Sequence, residues 1–178
     1  MEQPRKQVTL AELLIAVALV VLLAAIVLPN VMRSEVSANE ASAVGSIASI
    51  NRAEVSYQTA NPTIGFASSL ETLGPNGPGD TCQAPTPSHA CLIEEGLARA
   101  DVPGRARNGY WFRVSAAGRD RHGAVSEYVA GTAATLYKKT GLRDFCSQED
   151  GVVRYRDPGR NSAPAETPAQ CAAMPVLQ

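Results

Sequence analysis

A single carboxylate, Glu12, stands inside an almost pure hydrocarbon stretch, QVTLAELLIAVALVVLLAAIVLPNV over residues 7–31. An ionised side chain in such a run is costly in an apolar medium, which makes Glu12 a candidate functional residue in need of a partner. Snorkelling to an interface one turn away is the alternative. His122 and Ser126 are a conceivable base and nucleophile, but there is no G-x-S-x-G elbow, and catalysis is not expected. Asp144, Glu149, Asp150 and Asp157 fall near β-prone runs and could contact Ca²⁺, yet they lack a defined ligand loop and read as solvated turn acids. Cys82, Cys91, Cys146 and Cys171 form an even set that fits two disulfides in any of three connectivities. A zinc site is not expected: no C-x-x-C pair is present, and His89 and His122 lack close paired spacing. No cofactor or metal follows from these residues.

The elements that must carry them begin with the apolar run. Val8–Leu28 spans 21 residues, and a helix of that length matches a hydrocarbon core about 30 Å thick. Arg5 and Lys6 precede it, so the amino terminus is expected in the cytoplasm and the remainder outside, as a single-pass inner-membrane protein. The run is too long for a secretory signal peptide, and AIVLPN makes a poor cleavage site. Pro29 removes one N–H and should kink or open the helix locally. Beyond it, Val36, Ala43, Ile47, Ile50 and Tyr57 repeat at helical spacing, whereas Arg33, Glu35, Glu40, Asn51 and Arg52 are polar. This amphipathic half should end near Ala60 and cover a sheet.

Residues 61–90 are dense in Gly and Pro and read as an irregular surface connection, followed by a short helix in CLIEEGLARA. Runs starting at Gly109, Val125, Arg143 and Val152 are rich in Val, Tyr, Phe and Trp and predict four antiparallel strands joined by Gly-containing turns. The Pro- and Ala-rich tail from Asp157 is expected to lie over the sheet edge without regular structure. The net charge of −1 with dispersed Lys and Arg argues against nucleic acid as a partner.

The segment VTLAELLIAVALVVLLAAIVLPN resembles the amino-terminal segment of type IV pilins and pseudopilins: a short basic leader, an aromatic residue, Thr, Leu, an aliphatic residue, Glu, then a long apolar helix interrupted by Pro. Thr9, Leu10, Glu12 and Pro29 fall at the matching places. The similarity continues through VSANEASAVGSIASINRAEVSYQTANPTIGFASSLETLG and GLRDFCSQEDGVVRY, so it spans most of the chain. Gln7 stands where the family has Gly, Val8 where it has an aromatic residue, and Ala11 where it has a larger aliphatic one.

The resemblance implies a leader of residues 1–7, a filament-core or transmembrane half-helix over 8–28, an amphipathic half over 29–60, and a globular head over 61–178. The implied fold is α+β and type IV pilin-like, a long helix on a four-stranded antiparallel sheet. A prepilin peptidase would cut between Gln7 and Val8, and the freed, N-methylated amine would pair with Glu12 of a neighbouring copy. Such a pair offsets the desolvation of a lone carboxylate and sets the register of packed helices. Gln7 is expected to make the cut inefficient, and an uncut chain would leave Glu12 without that amine. The implied partners are other copies in a helical filament, the membrane, and an inner-membrane pilus or secretion platform. The expected function is a structural pilus subunit; the alternatives are a pseudopilin, a minor pilin, or an unprocessed membrane-anchored periplasmic domain. The resemblance also brings the acids at 144–157 close to the Ca²⁺ ligands of the major pseudopilins. Outside the cytoplasm disulfides persist, and the favoured pairing is Cys82 with Cys91, closing the Pro-rich loop, and Cys146 with Cys171, tying the tail to the third strand.

Overall fold

A computed structural model describes residues 9–177, the side chains of residues 24 and 26–30 excepted. The chain divides into two units, Met1–Glu35 and Val36–Gln178. One helix, α1 (Leu10–Ala60, 51 residues), runs through both, so Pro29 does not end it. In the first unit the described large side chains, from Leu10 at 76% to Leu23 at 61% exposed, lie open. Among the described residues no helix is long and apolar enough to cross a membrane. The apolar stretch described continuously, Leu10–Leu23, is shorter than the roughly 20 residues a span needs. The expected span from Val8 to Leu28 thus begins outside the described residues, and the side chains at its far end are among those not described.

The second unit is α+β. Strands β1 (Tyr110–Ala116), β2 (Tyr128–Ala134), β3 (Asp144–Gln148) and β4 (Arg154–Arg156) form one antiparallel sheet in sequential order. Tyr110 pairs with Ala134, Val129 with Gln148 and Phe145 with Tyr155 across the three ladders. Alternation sorts the side chains. Tyr110, Phe112, Val114, Tyr128, Ala130 and Phe145 pack in one core with Ala43, Ile47, Ile50, Ala53 and Tyr57 of α1. From Ala43 to Tyr57 the apolar stripe expected on the helix therefore finds its sheet, while Val36, expected in the same stripe, is not part of this core, and the helix ends at Ala60 as its NPT turn predicts. Val129 and Cys146 point to the opposite face and meet Ala165, Cys171 and Met174 of the tail.

Strand β2 reads YVAGTAA and is buried along its whole length because both of its faces are covered. A Cβ on Gly131 would stand 2.4 Å from the Ala165 carbonyl oxygen, so the tail approaches there only because the side chain is absent.

Two expectations are corrected. The connection over 61–90 contains a short helix, α2 (Leu70–Leu73), started by Ser69, whose side chain accepts from Thr72 N–H; Leu70 and Leu73 are buried. The tail also has regular structure: α4 (Pro168–Ala172) begins at Thr167 with a reciprocal capping box to Gln170, and Val176 bridges to Arg154. The short helix expected after Cys91 is α3 (Glu95–Ala98).

Candidate functional site

At the start of α1, Thr9 and Glu12 form a T-x-x-E capping box. The Thr9 N–H and hydroxyl donate to Glu12 Oε2, each at 2.9 Å, and Thr9 Oγ accepts from the Glu12 N–H at 3.3 Å. A helix start leaves its first N–H groups without intrahelical partners, which is why a hydroxyl and a carboxylate are favoured at this spacing. Glu12 thus has a hydrogen-bond partner in its own chain that needs no cleaved amine. Along Leu10–Leu23 it is the single charged residue. A helix apolar on all its faces and open on all of them needs an apolar cover. Gln7 and Val8, the expected cleavage and methylation positions, lie outside the described residues. Pro29 falls within α1.

Two further carboxylates on α1 are buried in the second unit, against a sequence reading that set Glu40 among the polar residues and did not name Glu54. Glu40, expected on the polar face, is buried: its Oε1 accepts from the Leu142 and Arg143 N–H groups at 2.9 and 3.1 Å, and its Oε2 from Arg143 Nε and Nη2 at 2.9 and 2.6 Å. The Arg143 guanidinium also stacks 5.5 Å from both the Phe145 and Tyr155 rings. Glu54 is fully buried; Oε2 accepts from Ala67 N–H at 2.8 Å and Oε1 has no hydrogen-bond partner. Burial pushes its carboxyl up to about 8, against the smaller opposing effect of the Ala67 N–H. Tyr57, whose hydroxyl donates to Pro87 O, and Tyr128, whose hydroxyl donates to Asn51 Oδ1, are both raised in pKa by burial first and by the Glu54 charge second.

The other candidates separate. His122 is exposed and its backbone N–H donates to Asp120 Oδ1, while the exposed Ser126 donates its own N–H to Gly118 O. Asp144 is buried, with Ser162 Oγ on both oxygens and Arg156 Nε at 3.0 Å; burial raises its pKa and these hydrogen bonds oppose the rise. Asp150 pairs with Arg154, and Asp157 accepts from Tyr137 Oη and Gly159 N–H. These acids hydrogen-bond to separate partners, and among the described residues they form no common ligand group. Disulfides join Cys82 to Cys91 and Cys146 to Cys171.

No protein-family model, curated protein or solved structure matches the chain.

Proposed function

We propose that the chain is a structural subunit of a type IV pilus filament, held in the inner membrane by its amino-terminal helix before assembly and packed with other copies through that helix afterwards. The observation that carries this reading is the open apolar stretch Leu10–Leu23 with Glu12 at its front, in the same helix that covers a four-stranded antiparallel sheet from Ala43 to Tyr57. Lipid covers such a stretch in the membrane, and like helices cover it in a filament. In the assembled state the neighbour's terminal amine replaces the local Thr9 contacts of Glu12. The disulfide Cys146–Cys171 suits a head that must persist outside the cytoplasm, because it ties the tail across the outer sheet face.

A second reading, an unprocessed membrane-anchored domain, is favoured by one residue. Gln7 is large and polar where the family's peptidase meets Gly. Mass spectrometry of membranes and of sheared surface filaments separates the two. The filament reading predicts the chain in the sheared fraction, beginning at a methylated Val8, with Gln7→Gly increasing the processed share. A chain found only in membranes and starting at Met1, even with Gln7→Gly, would remove the filament reading. The pseudopilin alternative predicts the processed chain in membranes with a secretion defect on its deletion and no surface fibre.

A further inference from the structure

The turn between β2 and β3 reads TLYKKTGL over residues 135–142, with two cations and no acid. The seven ion pairs among the described residues all take arginines, so Lys138 and Lys139 keep their charges uncommitted. Lys138 Nζ sits 5.5 Å from the Tyr137 ring. Leu136 and Leu142, at the two ends of the same turn, are 48% and 40% exposed. Basic and apolar groups thus share one short piece of surface.

The turn is held in shape and in place. The Lys138 N–H donates to Gly141 O at 2.9 Å, and the Lys139 and Thr140 N–H groups donate to Leu136 O at 3.0 and 2.9 Å. A Cβ on Gly141 would stand 1.9 Å from the Tyr110 hydroxyl oxygen, so the turn seats on β1 only with glycine there. It is fastened to the part of α1 that opens the second unit: Asn39 Nδ2 donates to Thr140 O at 3.1 Å, and Glu40 Oε1 accepts from the Leu142 N–H. The acids that meet the turn are already engaged, Glu40 by Arg143 and Asp157 by the Tyr137 hydroxyl and the Gly159 N–H.

The second unit begins at Val36, eight residues on from Leu28, where the expected membrane span ends. Eight residues reach no more than about 29 Å even when fully extended. A chain anchored by that span therefore holds Asn39, and the turn fastened to it, within reach of lipid headgroups at a high effective concentration.

We propose that this turn is a lipid-docking surface: in the membrane-anchored chain Lys138 and Lys139 contact the phosphates of anionic phospholipids while Leu136 and Leu142 enter the interface beside them. The docking rests on the anchored state proposed for the chain before assembly. An anionic leaflet attracts each lysine through its negative surface potential, and exposed leucines add apolar burial at the headgroup boundary. A turn already fixed by its own hydrogen bonds loses little freedom on contact. A neutral leaflet offers no such charge.

The test uses the full chain reconstituted in vesicles of phosphatidylcholine, with or without phosphatidylglycerol. Each carries traces of two photoactivatable phospholipids, one labelled in the acyl chain and one in the headgroup, and cross-links are mapped by peptide mass spectrometry. The acyl-chain label on Leu10–Leu23 reports the anchor, and the headgroup label on residues 136–142 reports the docking. Headgroup cross-links at the turn are expected with phosphatidylglycerol, and at least about fivefold fewer without it, or in the Lys138→Gln, Lys139→Gln variant. High salt, about 0.5 M, should reduce them likewise. Lys138→Arg with Lys139→Arg should retain them. A labelled Leu10–Leu23 with no headgroup cross-links at the turn, whatever covers it instead, a second copy included, would overturn the docking and leave the anchor standing. Cross-links equal in both lipids, or unchanged by the Gln variant, would also overturn it. An unlabelled Leu10–Leu23 would remove the anchor and the docking together.

Discussion

Thr9 and Glu12 hydrogen-bond each other in both directions, so the one carboxylate of the apolar stretch caps the helix that carries it. A capping role and an intermolecular charge-pairing role ask different things of the side chain. The cap needs an acceptor, which an amide supplies as well as a carboxylate does. The pair needs a negative charge. Substitution by alanine removes both, and substitution by glutamine removes only the charge.

Glu54 makes the stability of the second unit depend on pH. Its carboxyl, raised from 4.5 to about 8 by burial, stays protonated in the folded chain while the unfolded chain ionises. The folded state therefore holds more protons between those two values, and stability falls as pH rises through that window, then levels off above it. The slope is about 1.4 kcal/mol per pH unit at its steepest. Glu54→Gln should remove this slope, and urea unfolding in detergent at pH 5, 6, 7 and 8 measures it. A variant with the wild-type slope would show that Glu54 is not the group responsible.

The Glu40–Arg143 contact ties α1 to the turn before β3. Arg143→Ala removes a bidentate, charge-assisted pair and two ring contacts, and should cost about 1.5–3 kcal/mol. Glu40→Ala should cost more, about 3–5 kcal/mol, because the Leu142 and Arg143 N–H groups lose their acceptor as well. A double-mutant cycle by urea unfolding should return a coupling energy well above that of an exposed ion pair, which is roughly 0.2–1 kcal/mol. Additive effects would place the pair in the exposed class.

Much of this architecture was legible from residue types. GYWFRVS and VSEYVAGT carry aromatic and β-branched residues between Gly-containing turns, and β1 and β2 begin within them and run on to Ala116 and Ala134. The stripe Ala43, Ile47, Ile50 and Tyr57 identified the buried helix face because its spacing is local. Glu40 and Glu54 were not legible as core residues, since the N–H groups that make their burial tolerable belong to Leu142 and Arg143, about a hundred residues on from Glu40, and to Ala67, beyond the end of the helix that carries Glu54. The capping boxes were present in plain view, as T-x-x-E at Thr9 and T-P-A-Q at Thr167, yet the latter sits in a Pro- and Ala-rich tail whose composition argues for irregular structure.

The Cys146–Cys171 disulfide closes a separation of 25 residues and underlies the second apolar cluster with Val129, Ala165 and Met174. Cys146→Ala with Cys171→Ala should cost about 3–4 kcal/mol, whereas the equivalent change at Cys82 and Cys91, separated by 9 residues, should cost about 2.5–3 kcal/mol. Only the first should also increase binding of a hydrophobic dye, since it frees the tail from the outer face of β2. Equal dye binding by both variants would mean that the tail stays docked through its own contacts.

Glu12→Gln addresses the central claim most directly. Tagged wild-type and Glu12→Gln chains are co-expressed, and their ratio in sheared filaments is compared with their ratio in membranes by quantitative mass spectrometry. The cap survives in the variant and membrane insertion is unimpaired, so a filament built on pairing between Glu12 and a neighbour's amine predicts that the variant is depleted at least about tenfold from the sheared fraction, because one charge of a buried pair is left alone. Equal ratios in filaments and membranes would contradict the pairing and leave Glu12 as the cap of its own helix.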